Sequence, residues 1–494
     1  MGRLFFSRED ARCGDVIPKY IDGKYQLFYL KGWKNPKAPG VVFGWHRMES
    51  VDLIDLSDDT PIGVRGGTGD LIRAKDGTWH LFACIFPEGK QYITHYVSPD
   101  GNLDHWQLQP DDTFGPDGVI YGFPDWRDPR IVYDEKNDEY RMYLAGRVNA
   151  DHTQTGCVGL CVSRDLKHWE YREPVFAPMR FSGACECPDY FVTGDWEYLV
   201  FSSYTTLFGN YYVKRRLGSE NWEIPSNHRL DARAFYAAKT AGDGKRRFLF
   251  GWNPTKETDI FGFWPDKLQA KDYRTWDWGG DMVIHEIRQL PDGDLALSLP
   301  AEKKALFRTK LSCKELLVHT CGNTQLLETI GDTPGTALFS ADFICRPAET
   351  IEAGFVLHMK EDTREGYYIF LEPGRNRLVL RSWLRLSEDG GKTFPYDTEL
   401  EVPVRTAKDG IYRLEILTEG ETAAAYVNGE AAMSFRMCDL RESSVEKPGY
   451  GDRTDNGPAG PWTGLPQSKS RGKGKTGIFL FGKGECRRIT VLTY

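Results

Sequence analysis

The first 300 residues repeat themselves five times. Each unit opens on an acidic residue, runs through an apolar stretch and a turn, and closes on a second apolar stretch. The units read GDVIPKYIDGKYQLFYL with Asp15, GDLIRAKDGTWHLFACIF with Asp70, RDPRIVYDEKNDEYRMYLAGR with Asp128, ECPDYFVTGDWEYLVFSSY with Glu186 and LDARAFYAAKTAGDGKRRFLFGW with Asp231. The intervals between the acids are 55, 58, 58 and 45 residues. A second marker follows in register: SVDLIDL after Ser50, then clusters ending at Trp106, Trp169, Trp222 and Trp276. Each unit holds about four strand-like runs, with Asp22-Gly23 and Asp76-Gly77 as hairpin turns between alternating runs. Four-stranded units of this length are the blades of a β-propeller. The expected fold is therefore all-β, with a five-bladed β-propeller over residues 1–300. The innermost strand of each blade lines the central channel, so the acids heading the units are expected to point into one funnel.

The period stops near residue 300, where LPAEKKALF reads as a linker. Alternating runs such as TALFSADFIC, GYYIFLEP and YRLEILTE follow, the pattern of a two-sheet β-sandwich over residues 301–494. Residues 447–475 are rich in Gly, Pro and charge and read as a long surface loop or contact arm. The sandwich or this loop is the expected surface for any homo-oligomer.

Composition supports the pattern and removes several functions. The 14 Trp, 24 Tyr and 27 Phe, beside 51 Gly and 27 Pro, favour short strands over long helices. A net charge of −8 argues against nucleic acid as a partner, which would require a basic face. No run of about 18 apolar residues is present, so no membrane partner is expected. The 11 cysteines include no CxxC pair and match neither a disulfide framework nor zinc spacing. With charges interrupting the N-terminal apolar residues at once, they predict a cytoplasmic chain. His285-Glu286, GKGKT at 472–476 and GGTGDL each fall short of a metal or phosphate motif. Neither metal nor organic cofactor is expected.

Asp15, Asp128 and Glu186 carry the chemistry in this reading. Any one such acid at a strand start is ordinarily a turn residue bonding local amides. Three in one funnel suit glycoside chemistry, which needs one ionised and one protonated carboxyl flanking the scissile bond. Like charges held close separate their pKa values in that way.

Arg127-Asp128-Pro129, Glu186-Cys187-Pro188-Asp189, Phe235-Tyr236-Ala237 and Gly251-Trp252, in this order, resemble glycoside hydrolase family 32: the β-fructofuranosidases, inulinases and levanases. The resemblance spans nearly the whole chain. It implies Asp15 as nucleophile, Asp128 as the acid that stabilises the transition state and Glu186 as general acid/base. Arg127 would orient Asp128 or the sugar, and Cys187 would pack beside the acid. Trp45, His46, Asp70, Trp126, Tyr236 and Trp252 are the further candidates for substrate binding. A wider set of aromatic sugar platforms adds Trp33, Tyr204 and Trp264. The first unit departs from the family: RCGDVIPKY stands where the family has roughly WMNDPNG, so Gly14 replaces an Asn. A fructofuranosidase on sucrose-like or short fructo-oligosaccharide substrates is expected. The alternatives are a fructosyltransferase, a hydrolase of arabinofuranosides or xylosides, and a non-catalytic carbohydrate-binding propeller.

Overall fold

The computed structural model describes residues 4–149, 155–178, 183–204, 208–255, 278–311, 318–320, 324–362, 364–383, 400–437 and 474–494. Almost all of the loop at 447–475, together with Trp264 and Trp276, lies outside them. Among the described residues the structure is strand throughout, with one short α-helix at Ala301–Ala305 and two 3-10 turns. No helix among them is long and apolar enough to cross a membrane. The eight described cysteines are all buried free thiols.

Successive strands pair antiparallel with their neighbours in the chain. Three separate four-stranded sheets result, headed by inner strands Gly69–Arg73, Tyr121–Asp134 and Glu186–Thr193. The first strands of the chain, from Ala11–Ile21 onward, and the set headed by Tyr236–Gly242 join in one eight-stranded sheet. That junction closes the β-propeller on itself. It is made where Cys13 pairs with Gly280, which also pairs with Pro254. A Cβ on Gly280 would lie 1.8 Å from the Asn253 carbonyl oxygen. Gly280→Ala must therefore push the closing strands apart. We expect a loss of about 3 kcal/mol in denaturant unfolding, the upper part of the usual overpacking range.

Four inner strands carry a register shift, at Cys13/Val16, between Arg127 and Arg130, at Glu186/Asp189 and at Tyr236/Lys239. The inner strand Gly69–Arg73 pairs without one. A bulge bends a strand and re-aims its side chains. Its residues here reach the left-handed region at Asp128 (φ 58°), Cys187 (φ 47°) and Ala237 (φ 52°).

Among the described residues the C-terminal part is an eleven-stranded assembly. Strand Thr336–Met359 runs through both layers, because its register slips between Cys345 and Thr350. Its first half pairs with Ile411–Glu419 and its second with Gly366–Glu372. The strand Thr422–Val427 is buried on both faces. Ala423, Ala425 and Val427 enter the sandwich core, while Ala424 and Tyr426 join a cluster with Phe235, Val283 and Leu297 of the propeller. A strand between two cores needs small apolar residues on both sides, so the run of alanines shows no polar alternation.

Candidate active site

The bulged inner strands bring their heads together around a cavity of about 450 Å³. Asp15, Asp128 and Glu186 all line it, with Arg127, Cys187, Tyr236 and Trp252. Each carboxylate is held by donors from another strand. Asp15 accepts from the indole Nε1 of Trp252 at 3.0 Å and from the Thr68 hydroxyl. Asp128 accepts from the backbone N–H of Cys187 at 3.0 Å, with the thiols of Cys187 and Cys84 at 3.8 and 3.9 Å. Glu186 accepts from Arg127 Nη2 at 2.8 Å and from the Tyr236 hydroxyl. Arg127 also approaches Asp128, Nε to Oδ2, at 3.7 Å.

Burial raises the pKa of all three carboxyls, because the charged form loses water. Mutual repulsion adds to it: Glu186 pushes Asp15 up, Asp15 pushes Asp128 up, and Asp128 pushes Glu186 up. Arg127 opposes this at Asp128 and Glu186, while Thr68 and Trp252 oppose it at Asp15. Groups coupled in this way release their protons as a set, so one member can be ionised while another is still protonated. Such a set can both attack an electrophilic carbon and protonate a leaving oxygen.

Five expected residues are absent from the cavity wall, and each has a physical reason. Trp33 donates its indole N–H to the Val42 carbonyl at 2.9 Å, with the Lys31 ammonium over its ring. Trp45 is 1% exposed, packs near Phe28, and donates its indole N–H to the Gly67 carbonyl behind the wall. His46 is held by Asp59 at 2.8 Å and by the Val42 carbonyl. Trp126 is fully buried among Tyr121 and Tyr171. Asp70 lies one layer down the channel, paired with Lys19 at 2.7 Å and accepting from the Ile131 N–H at 2.9 Å. Arg130 pairs with Asp189 in the same layer, and the Lys239 ammonium donates to the carbonyls of Gly69 and Pro129. Without a bulge in its strand, Asp70 keeps the level of Lys19 and Arg130, and Thr68 takes the place at the cavity.

Asp231 is also outside the funnel. It is buried between propeller and sandwich against His285 and Ser434. The inner strand that follows it begins at Tyr236, and that residue occupies the site. The short interval of 45 residues before Asp231 was the sign of this mismatch.

Several lining residues carry no pattern legible in the sequence: Gln91, Asp125, Thr68, Cys84, Phe86 and Trp278. Trp278 explains Gly14, because its ring lies 2.1 Å from where a Cβ on that residue would stand.

The comparisons agree with this geometry. Residues 116–262, which carry the inner strands Tyr121–Asp134, Glu186–Thr193 and Tyr236–Gly242, match the model of the glycosyl hydrolases family 32 N-terminal domain. A levanbiose-producing levanase of Bacillus subtilis is 24% identical over 392 residues, covering 70% of this chain and 68% of the relative. An insoluble-isoenzyme β-fructofuranosidase of Arabidopsis thaliana is 28% identical over 300 residues, covering 50% of this chain. The match spans about half, 48%, of that plant relative's length. Among solved structures, fructan 1-exohydrolase IIa from Cichorium intybus superposes with a TM-score of 0.67 at 16% identity, covering 99% of this chain and 98% of that one. That likeness speaks for the β-propeller and β-sandwich fold, while the family model and the curated relatives speak for descent. With carboxylates from three different inner strands meeting in one cavity, the chain is similar in sequence and in fold to the hydrolases of glycoside hydrolase family 32.

Proposed function

We propose that the chain is a retaining β-fructofuranosidase that removes terminal fructosyl units from sucrose-like or short fructo-oligosaccharide substrates. The convergence of Asp15, Asp128 and Glu186 in one cavity carries this reading. Asp15, aimed by Thr68 and Trp252, attacks the anomeric carbon. Glu186 gives its proton to the leaving oxygen as that bond breaks. A water then attacks the fructosyl–Asp15 ester, and Glu186 takes the water's proton back. Asp128 accepts hydrogen bonds from sugar hydroxyls that strengthen as positive charge develops on the ring. The solved relatives include a fructan 1-exohydrolase bound to 1-kestose and a Bombyx mori β-fructofuranosidase bound to sucrose, which supports a neutral fructoside as substrate. The proposed architecture is five blades over residues 1–300 and a sandwich over 301–494. Twenty strands among the described residues precede the helix at Ala301, a number that supports four for each of five blades.

The test is product analysis on sucrose, 1-kestose, levan-type oligosaccharides and an aryl arabinofuranoside, with Glu186→Gln beside the wild type. Fructose should be released by the wild type alone, first as the anomer retained from the substrate when followed by NMR. Release of the inverted anomer, or activity confined to the arabinofuranoside, would overturn the reading.

A further inference from the structure

We propose that Asp125 is a positioning residue for this reaction: it holds the Arg127 guanidinium against Glu186 while absorbing part of its charge, leaving Glu186 able to carry the proton it must donate. The inference rests on the reading of Glu186 as acid/base.

Three observations carry it. Asp125 is 4% exposed and lines the cavity. The two terminal nitrogens of Arg127 are divided: Nη2 goes to Glu186 at 2.8 Å, and Nη1 goes to Asp125 and to Gln91 Oε1 at 3.0 Å. The second oxygen of Asp125 is taken by Arg147 from the neighbouring strand Glu139–Val148. The result is a linear relay, Arg147–Asp125–Arg127–Glu186, with alternating charges. A guanidinium bonded to Glu186 favours the ionised carboxylate, which cannot protonate a leaving group. Asp125 offsets that charge on the far side of the same guanidinium, and Arg147 in turn weakens Asp125.

Other charges face both ends of the relay. Glu186 feels Arg127, Asp128, Asp15, Tyr236 and Tyr204. Asp125 faces Arg127, Arg147, Tyr204 and the Cys157 thiol. Asp125 and Arg147 carry opposite charges, so their removal should move Glu186 in opposite directions, which a purely structural role for the pair does not predict.

The experiment is the pH profile of kcat/KM on 1-kestose for wild type, Asp125→Asn, Asp125→Glu, Arg147→Gln and Glu186→Gln. Asp125→Asn keeps the shape and can still accept from Arg127. Its basic limb should move to lower pH by about one unit, with roughly tenfold lost on the alkaline side and little at acid pH. Asp125→Glu should restore part of the limb. Arg147→Gln should move the limb the other way, to higher pH. A limb unmoved in both Asp125→Asn and Arg147→Gln, whatever their stability or plateau rate, overturns the proposal while an inactive Glu186→Gln leaves the acid/base reading intact. A Glu186→Gln variant with full activity overturns both.

Discussion

Replacing Asp15 by Asn is expected to stop turnover and to stabilise the fold. The rate should fall by about 10³-fold or more, because no ester can form without the carboxylate. The loss should be the same for natural and aryl fructosides, since the nucleophile acts whatever the leaving group. Glu186→Gln should lose as much on 1-kestose but markedly less on an aryl fructoside, whose phenolate leaves without a proton. The amide at position 15 can be accommodated: Trp252 donates to its oxygen, and its nitrogen donates to the Thr68 hydroxyl oxygen.

The gain in stability follows from the raised pKa values of the site. A carboxyl with a folded pKa above its unfolded value, about 3.9–4.3, binds more protons in the folded state across that interval. Its contribution is fully present below the unfolded value and is lost as pH rises through the folded one. At neutral pH the wild type therefore holds ionised carboxylates against burial and mutual repulsion. Asp15→Asn removes one of them, and about 1 kcal/mol or more should return, a few degrees in Tm. The difference between variant and wild type should vanish below about pH 4. A variant no more stable than wild type at pH 7 would show that Thr68 and Trp252 already compensate the charge in full.

Asp231→Ala is expected to be the most damaging single change outside the site, at about 3–5 kcal/mol. Asp231 is 2% exposed and accepts from the Ser434 N–H at 2.7 Å, the Ser434 hydroxyl at 2.5 Å and His285 Nε2 at 2.8 Å. His285 Nδ1 then meets the Tyr426 hydroxyl at 3.0 Å. Asp231 follows the propeller strand Arg229–Leu230 and His285 lies in the propeller strand Gly280–Gln289, while Ser434 and Tyr426 belong to the sandwich. Alanine would take the acceptor from the backbone N–H groups of Ser434 and Ala232, and leave the Ser434 hydroxyl and His285 Nε2, 3.2 Å apart, to pair with each other. It would also place a residue with no local side-chain hydrogen bond at φ 66°. Urea unfolding should show a lower midpoint, with the sandwich transition separating from that of the propeller. Ser434→Ala, which removes one donor and leaves the Asp231–His285 pair, should cost about 1–2 kcal/mol.

Much of this protein was legible without coordinates. Four-stranded units of regular length specify stacked sheets, since a single unit cannot bury its own faces. Asp15, Asp128 and Glu186 stood out because each heads a unit in a distinctive string. Arg127, Cys187, Tyr236 and Trp252 were found because they are bound to those strings in sequence. The sequence alone therefore pointed to an all-β architecture and to the three carboxylates that meet in the cavity. Tertiary structure decided the level at which each residue meets the channel. Bulges in four inner strands turn their heads toward the cavity, and the straight strand Gly69–Arg73 leaves Asp70 in the ion-pair layer beneath. A one-residue change of register reverses the face on which a side chain lies, and no local pattern records where the register slips. For the same reason Trp45 and Trp126, adjacent to site strings, face the core. Thr68 and Gln91 reach the site only through contacts between separate sheets, and it is closure of the propeller that makes them neighbours.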